Sequence, residues 1–335
     1  MAEPTAPVAR GAAGPSGTET TRSARLLAPR RSAIVELPRR QPGPGEVRIS
    51  LEGCGICGSD LPVWEGRPWF DYPRPPGAPG HEGWGRVDAI GPGVTAVEIG
   101  DRVASLGLHA YAEHDVVAAD QVVVLPASLD EQPFPGEPLG CAVNVFARAG
   151  IREGDTVAVL GVGFLGAVVV ALAVAAGARV IAVARRPTAR RIAIELGAAA
   201  ALSPEDDVTA LVEAQTAGAL CDVVVEAAGV QETLDLGGPL ARVRGRLVIA
   251  GFHQDGRRQV DMQLWNWRGL DVINAHERDP SVYLDGVRQA VRAVEDGRIP
   301  LQRLITHQLP LERLDEAFTL SSERPEGFLK AVVTR

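Results

Sequence analysis

A glycine-rich turn joins an apolar run to an apolar helix-like segment near the middle of the 335-residue chain. It reads Gly161-Val162-Gly163-Phe164-Leu165-Gly166 and directly follows the run TVAVL (156–160). In such a G-x-G-x-x-G, the first glycine permits a tight turn, the second lets a pyrophosphate approach the backbone, and the third allows close helix–strand packing. The helix N-terminus then faces the phosphates. In this context the motif predicts a dinucleotide site, whereas the same glycines alone also occur in turns of unrelated α/β proteins.

The pattern of apolar runs divides the chain into two kinds of unit. Short β-rich runs broken by Gly and Pro, from Ile34 to about Pro126, predict a compact, mostly antiparallel, barrel-like unit. From about Gly140, apolar β runs alternate with helical segments, which predicts a parallel sheet with helices on both faces. The last run, EGFLKAVVT (326–334), ends in a strand that needs a sheet, so we expect the C-terminal end to rejoin the first unit.

The composition excludes several classes of partner and location. The formal net charge of −8 argues against a nucleic-acid partner and gives no reason to expect attraction to an anionic membrane. Residues 157–178 lack charge, but their glycines indicate a buried strand, turn and helix, and we expect no transmembrane segment. The four cysteines suggest no disulfide framework, which favours a cytoplasmic protein. Residues 1–23 are predicted to be a disordered tail.

The end of the second strand of the dinucleotide unit predicts which cofactor is bound. An NAD site places Asp or Glu there to bind the ribose 2′-hydroxyl. Here the strand RVIAVA (179–184) is followed by Arg185 and Arg186, whose guanidinium groups can hold a 2′-phosphate. We therefore predict NADP(H) in preference to NAD(H). The alternative is a solvated basic helix start, since Arg190 and Arg191 follow closely.

Two further motifs supply metal-ligand chemistry. Cys57 lies in the loop Gly-Cys-Gly-Ile-Cys-Gly-Ser-Asp (53–60), and His81 follows 24 residues later in Gly-His-Glu-Gly (80–83). A thiolate, an imidazole and nearby carboxylates form a natural zinc set. With these motifs, the E-P-L segment (137–139) and the dinucleotide unit in this order, residues 24–335 resemble the zinc-dependent medium-chain dehydrogenase/reductase (alcohol dehydrogenase) family. The resemblance is closest to the sorbitol and threonine dehydrogenase branch.

The resemblance implies a fold and a set of roles. It implies an α/β protein with a GroES-like β-barrel catalytic domain (24–140 and 277–335) and a Rossmann doubly wound parallel sheet (141–276), with the active site between them. Cys57 and His81 are then metal ligands, and Glu82 is either a ligand or the carboxylate that exchanges with water. Asp60 is implied to hold a ligand. Ser59 is implied to hydrogen-bond the substrate hydroxyl and pass its proton onward.

Two residues are candidates for the third protein ligand of the metal. In the polyol branch the resemblance assigns it to Glu137, and Cys141 competes for it from four residues later on a predicted helix. Cys54 is interpreted as a loop or packing residue and Cys221 as a core residue.

The chain departs from the family in two places. It has no cysteine between Cys57 and Cys141, so we predict one catalytic zinc and no structural zinc. Pro62 stands where the proton-relay histidine usually lies, five residues after the first ligand. We consider His276 as a substitute, although a solvated or core histidine is the more common interpretation.

The predicted reaction is hydride transfer between NADP(H) and a secondary alcohol or ketone, assisted by zinc as a Lewis acid. The substrate is predicted to be a polyol or a cyclic hydroxylated compound, with Trp64 and Trp69 in the substrate wall. Trp84, Trp265 and Trp267 are further candidates for this wall or, alternatively, core residues. Alternative functions are a zinc-free NADPH-dependent enone or quinone reductase and a non-catalytic NADPH-binding protein. The resemblance also implies a homodimer or homotetramer through the edge of the Rossmann sheet.

Overall fold

The structure is a computed structural model that describes residues 19–335. The strands and the short helix of the N-terminal part are β1 (Thr20–Ala28), β2 (Arg31–Pro38), β3 (Glu46–Gly55), α1 (Leu61–Glu65), β4 (Gly83–Ile90), β5 (Arg102–Ser105), β6 (His114–Ala118) and β7 (Val122–Val124). The central part contains α2 (Gly136–Ala149), β8 (Thr156–Leu160), α3 (Phe164–Ala175), β9 (Arg179–Val183), α4 (Pro187–Glu195), β10 (Ala200–Leu202), α5 (Val208–Gln215), β11 (Cys221–Glu226), α6 (Gln231–Leu240), β12 (Ala241–Ile249), α7 (Met262–Arg268) and β13 (Asp271–Asn274). The C-terminal part contains α8 (Pro280–Glu295), α9 (Leu301–Leu304), β14 (His307–Pro310), α10 (Leu314–Glu323) and β15 (Ala331–Thr334).

A seven-stranded sheet combines five strands of the N-terminal part with two strands of the C-terminal part, while β1 and β2 form a separate two-stranded sheet. The strand order of the larger sheet is β14-β15-β3-β4-β5-β7, with β6 also pairing with β3. All the pairs are antiparallel except β14 with β15, and Val333 of β15 lies opposite Cys54 of β3. The sheet therefore brings residues just before β15 close to the loop that follows β3.

A six-stranded parallel sheet forms the second unit, in the order β10-β9-β8-β11-β12-β13. Numbered within the unit this is 3-2-1-4-5-6, the order of the Rossmann fold, so the predicted fold class is confirmed. Val157 and Val159 of β8 face one hydrophobic cluster, while Ala158 and Leu160 face another. Because successive side chains of a strand point to opposite faces, helices must cover both sides of this sheet.

The uncharged stretch between 157 and 178 is a strand, a turn and a helix inside this unit. All residues of α3 except Leu165, Val174 and Ala175 are buried. Within residues 19–335, none of the helices is long and apolar enough to cross a membrane.

Four residues of the predicted tail, 20–23, lie in a strand. Strand β1 begins at Thr20 and pairs antiparallel with β2, so residues 20–23 are ordered and the boundary at 23 is wrong. Thr21 and Ser23 point inward, and the Thr21 hydroxyl lies 2.9 Å from His114 Nδ1. The rest of the predicted tail, residues 1–18, lies outside the described residues.

One edge of the parallel sheet is open to solvent. Strand β13 lies at that edge, and Val272 within it is 40% exposed. Trp267 of the neighbouring α7 is 88% exposed. Assembly of copies through this edge stays a prediction.

Candidate active site

A cavity of about 850 Å³ lies between the two sheets. Its wall includes Cys57, His81 and Glu82 from the first unit and Gly163 and Phe164 from the glycine turn of the second. The cavity reaches the carboxyl end of β8, next to β11, where the strand order of the parallel sheet reverses. Ligands of open α/β sheets bind at this position.

Three side chains meet at one point of the cavity wall. One potential ligand atom from each of Cys57, His81 and Glu82 lies within 4.8 Å of the other two. Tetrahedral zinc with bonds of about 2.0 to 2.3 Å needs ligand atoms roughly 3.5 Å apart, which small side-chain movements provide here. The donor set and its spacing therefore fit a zinc ion.

Asp60 contacts the imidazole of His81, and Tyr111 hydrogen-bonds Asp60. His81 Nδ1 lies 2.9 Å from the carbonyl oxygen of Pro79 and 3.3 Å from Asp60 Oδ1. Tyr111 donates a 2.6 Å hydrogen bond to Asp60 Oδ2. Burial lowers the pKa of His81, but the charges of Asp60 and Cys57 outweigh it and raise that pKa well above its usual range. Contact with Nδ1 leaves Nε2 free to bind a metal.

Glu82 is fully buried and paired with a lysine. Lys330 Nζ donates to Glu82 Oε1 at 2.8 Å and lies 2.6 Å from Oε2. It also donates to the carbonyl oxygen of Ile56 at 2.9 Å. Burial lowers the pKa of Lys330, but the charges of Glu82 and Cys57 outweigh it and the net shift is upward, so the ammonium group stays charged.

Glu137 lies on the same wall but outside the three-residue group. Cys141 donates to Glu137 Oε1 at 3.2 Å, and its sulfur lies 3.3 Å from the hydroxyl oxygen of Tyr283. Burial raises the pKa of Glu137, and the charge of Glu82 adds to that effect. Burial and then Glu137 raise the pKa of Cys141 well above its usual range, so this thiol is protonated. Both Glu137 and Cys141 line the cavity, and the choice between them as the third protein ligand stays a prediction.

Comparisons with known proteins agree with this geometry. Residues 43–127 match the profile of the alcohol dehydrogenase GroES-like domain, and residues 165–288 match that of the zinc-binding dehydrogenases. An L-threonine 3-dehydrogenase of Pyrococcus abyssi is 31% identical over 322 residues, covering 86% of this chain and 91% of that enzyme. The chain belongs to the zinc-dependent medium-chain alcohol dehydrogenase superfamily. It is an NAD(P)-dependent dehydrogenase of the alcohol and polyol type.

Two other members extend the comparison. A sorbitol dehydrogenase of Gallus gallus is 29% identical over 333 residues, which cover 87% of this chain and 90% of that enzyme. A zinc-binding dehydrogenase of Sinorhizobium meliloti, solved with bound NADP, superimposes with a TM-score of 0.83 at 28% identity. The superposition covers 95% of this chain and 100% of that one.

The glycine turn of this dehydrogenase has the local geometry that its motif requires. Gly161 has a φ of +99°, which favours glycine. A Cβ on Gly166 would lie 2.0 Å from the carbonyl oxygen of Gly161, whereas a Cβ on Gly163 would meet nothing within 4 Å. Gly166 is therefore needed for helix–strand packing, and the space above Gly163 is left for a ligand.

These two glycines give a matched pair of variants. We expect Gly166→Ala to destabilise the fold by about 1 to 3 kcal/mol, because α3 must move away from the turn. Gly163→Ala should leave the melting temperature unchanged and weaken cofactor binding, because the new methyl group occupies the space of the pyrophosphate. Thermal unfolding and fluorescence titration with NADPH measure the two effects. Equal losses of melting temperature in both variants would contradict this assignment.

Arg186 and Arg324 line the same cavity. Arg186 donates to the carbonyl oxygen of Phe328 at 2.6 Å, and Arg324 donates to that of Ser321 at 3.2 Å. Burial and then the charge of Arg324 lower the pKa of Arg186, so the two guanidinium groups repel each other. Ser321 also lines the cavity, is 7% exposed, and its hydroxyl has no partner among residues 19–335. Arg185 is exposed and lies outside the cavity wall.

Of the two tryptophans predicted for the substrate wall, Trp64 does not line the cavity. Trp64 is 2% exposed, stacks on Phe318 with ring centroids 5.5 Å apart, and donates to Asp315 Oδ1 at 3.0 Å. It is a core residue, because the short helix α1 turns it away from the cavity. Trp69 does lie on the cavity wall and is 57% exposed, and its contact with substrate stays a prediction.

The remaining predicted residues all line the cavity. Ser59 donates to Cys57 Sγ at 3.2 Å. His276 Nε2 lies 3.2 Å from the carbonyl oxygen of Gly251, and its ring packs 5.7 Å from that of Phe252. Their roles in proton transfer stay predictions.

Tyr283, Ser321, Arg324 and Lys330 are among the polar cavity residues that the sequence did not predict. The first three come from helices or turns far along the chain, and their types carry no signal in isolation. Lys330 had a signal, since it is the only lysine beside 33 arginines.

Proposed function

We propose that this enzyme transfers a hydride between NADP(H) and a secondary alcohol or its ketone, with one zinc ion held by Cys57, His81 and a carboxylate. The observation that carries this proposal is that the three-residue group and the glycine turn line one cavity. When bound, zinc supplies Lewis-acid polarisation of the carbonyl, and the nicotinamide supplies or accepts the hydride.

The residues of the chain prepare the site for that chemistry. Asp60 and the carbonyl oxygen of Pro79 fix the imidazole of His81 in one orientation. Ser59 hydrogen-bonds the sulfur of Cys57 and faces the cavity, where its hydroxyl can instead bind a substrate oxygen. Glu137 is available as the third protein ligand, and Cys141 holds it on the cavity wall. Holding the reacting carbon and cofactor in one closed space lowers the entropic part of the barrier.

Two arginines of the cavity wall support the preference for NADP(H). Arg186 and Arg324 use backbone carbonyl oxygens as partners, so each guanidinium keeps further donors for a phosphate. The unpartnered hydroxyl of Ser321 offers another donor. An anion between the two guanidinium groups would also relieve their repulsion.

The residues of the cavity wall and the names of two relatives support the proposal of a polyhydroxylated or cyclic substrate. The phenol of Tyr283, the indole of Trp69 and the guanidinium of Arg67 lie on the wall and offer hydrogen bonds to several hydroxyl groups. Two relatives carry the names sorbitol dehydrogenase and 2-dehydro-3-deoxy-L-galactonate 5-dehydrogenase.

Three measurements on the purified enzyme test the proposal. Elemental analysis should find about one zinc per chain. Fluorescence titration should give tighter binding for NADPH than for NADH. A panel of secondary alcohols, polyols and their ketones, followed by NADPH absorbance, should show turnover. An enzyme without zinc that reduces enones would favour the zinc-free reductase instead, and bound NADPH without any turnover would favour a non-catalytic role.

A further inference from the structure

Glu226 is a fully buried carboxylate at the carboxyl end of β11. Its Oε1 accepts hydrogen bonds from the backbone N–H groups of Ala228 at 2.8 Å and Gly229 at 2.7 Å. The hydroxyl of Thr233 donates to the same oxygen at 2.7 Å, and His253 Nε2 lies 3.0 Å from Oε2. A buried carboxylate is costly unless hydrogen bonds compensate it. Here the compensating groups come from the loop after β11, from α6 and from the loop after β12.

The two loops that Glu226 contacts also touch each other and the glycine turn. A Cβ on Gly251, which follows β12, would lie 2.2 Å from the backbone nitrogen of Gly229 and 2.6 Å from Glu226 Oε2. A Cβ on Gly161 would lie 2.9 Å from the backbone nitrogen of Ala228. Ala228, Gly229 and Gly251 line the cavity. The carboxylate therefore lies directly behind the part of the wall that follows β11 and β12.

This part of the wall belongs to the second half of the parallel sheet. A Rossmann sheet consists of two mononucleotide-binding halves, and a dinucleotide lies across the crevice between them. The first half, β8 to β10, contains the glycine turn and is followed at β9 by Arg186, which is proposed to bind the 2′-phosphate. The second half, β11 to β13, therefore faces the other nucleotide, which carries the nicotinamide.

His253 connects Glu226 to Arg258 in one fixed tautomer. Arg258 Nε lies 2.9 Å from His253 Nδ1, and because a guanidinium only donates, Nδ1 must accept. The imidazole proton is then on Nε2, which donates to Glu226. Arg258 also donates to the carbonyl oxygen of Gly229 at 3.2 Å and contacts Asp255 of the cavity wall. The acceptor oxygen of Glu226 thus sets the direction of every hydrogen bond in this chain.

We propose that Glu226 is a positioning residue for the nicotinamide end of the cofactor, which it orients by fixing the backbone of residues 228–229 and, through His253, the loop after β12. The inference rests on the proposed function, because it takes NADP(H) as the bound cofactor. A wall that is ordered beforehand binds its ligand more tightly, because the cost of ordering is not incurred on binding. Loss of the carboxylate should therefore weaken binding of the nicotinamide end and spare the adenosine end.

The variant Glu226→Gln tests this by comparing two ligands. An amide has one acceptor oxygen in place of two, so its NH2 group faces another donor in this network. We expect the dissociation constant of NADPH to rise by about tenfold, while that of adenosine 2′,5′-bisphosphate, which lacks the nicotinamide, changes by less than about twofold. Isothermal titration calorimetry measures both. Equal weakening of the two ligands would show a general loss of the Rossmann unit and would overturn the inference, as would unchanged binding of both.

A second substitution at Arg258 should rescue the first. The amide atoms of a glutamine lie as many bonds from the backbone as Arg258 Nε, and the amide can donate or accept after rotation. In Glu226→Gln/Arg258→Gln the chain of hydrogen bonds can run in the reverse direction, with His253 accepting at Nε2 and donating from Nδ1. We expect the double variant to bind NADPH within about threefold of Arg258→Gln alone. A loss of about tenfold relative to Arg258→Gln would overturn the inference.

Asp222 provides a matched control on the same strand. It lies at the other end of β11, where it accepts from the backbone N–H of Thr156 at 2.8 Å and from Arg242 Nε at 2.7 Å. It lies outside the cavity wall. Asp222→Asn should therefore change the dissociation constant of either ligand by less than about twofold. Selective weakening of NADPH by this control would overturn the inference, because any carboxylate of β11 would then act in the same way.

His253→Leu provides a test that does not depend on the folding of Glu226→Gln. The imidazole is partly exposed, so its loss leaves the three bonds to Glu226 Oε1 in place. We expect NADPH to bind about three- to tenfold more weakly and the bisphosphate to bind as before, and unchanged binding of NADPH would overturn the inference. Tighter binding of NADH than of NADPH by the unmodified enzyme is a different result. It would overturn the proposed cofactor preference, and the comparison of NADH with ADP would then test Glu226 in the same way.

Discussion

Replacing Cys57 by serine is expected to abolish zinc binding and to reduce turnover by about 10³-fold or more. The thiolate is the softest donor of the three-residue group, and a neutral hydroxyl cannot replace it. Lewis-acid polarisation contributes several kcal/mol to the transition state, and each 1.36 kcal/mol corresponds to about a factor of ten in rate. Zinc per chain and the rate of NADPH-dependent reduction are the two measurements.

Cys54 offers a matched control for this variant. It lies three residues earlier in the same loop, but it is fully buried in the core of the first unit. Burial raises the pKa of Cys54 well above its usual range, so it stays a neutral thiol. We expect Cys54→Ala to cost about 1 kcal/mol of stability through a small cavity and to keep its zinc. Zinc loss from Cys54→Ala with zinc retained in Cys57→Ser would reverse the assignment of the two cysteines.

The sequence predicts the fold well where local pattern and burial agree. The run VAVL (157–160) is fully apolar because β8 is central and both of its faces are covered. The glycines that follow it form the turn that their motif predicts. The motif positions of Cys57 and His81 also locate most of the candidate metal site, because each lies in a short loop next to a strand of the same sheet.

The local sequence pattern gives wrong predictions where a residue type is compatible with two structural environments. Thr20 to Ser23 contain small and polar residues that are typical of a tail, yet Thr is also a good strand former and β2 provides a partner. Trp64 and Trp69 both follow the metal loop in sequence. Trp64 lies within α1 and is buried, whereas Trp69 comes after the end of α1 at Glu65 and is exposed. Neither outcome is readable without the tertiary contacts.

Long-range packing places the remaining site residues. Tyr283 reaches Cys141 across 142 residues of sequence because α8 packs on α2, and Lys330 reaches Glu82 across 248 because β15 pairs with β3. Such contacts depend on the complete topology. A single sequence shows only that Lys330 is an unusual choice in a chain that otherwise uses arginine.

The second large effect is expected from the double variant Arg186→Gln/Arg324→Gln. We expect the dissociation constant of NADPH to rise by about 10²-fold, while that of NADH changes by less than about threefold. Hydrogen bonds to charged groups contribute about 1.5 to 3 kcal/mol each, so losing two of them corresponds to a factor of this size or more. The cavity is open to solvent, and the effect should therefore shrink as the salt concentration rises.

Arg191 is the matched control for these arginines. It lies on α4, five residues after Arg186, and its guanidinium lies 4.0 Å from Glu195 at an exposed position. Arg191→Gln should change the binding of neither cofactor, because an exposed ion pair of this kind contributes little. The control thus separates a general loss of positive charge on this helix from the loss of the two guanidinium groups at the cavity.

The comparison of the two cofactors decides how the arginines act. NADPH and NADH differ only in the 2′-phosphate, so a group that binds this phosphate must affect one cofactor and spare the other. Equal weakening of both would mean that Arg186 acts through its bond to the carbonyl oxygen of Phe328, which ties the cofactor unit to the segment before β15. Selective weakening of NADPH by Arg324→Gln alone would show that the first unit contributes to cofactor choice, because Arg324 follows α10 and lies outside the Rossmann sheet.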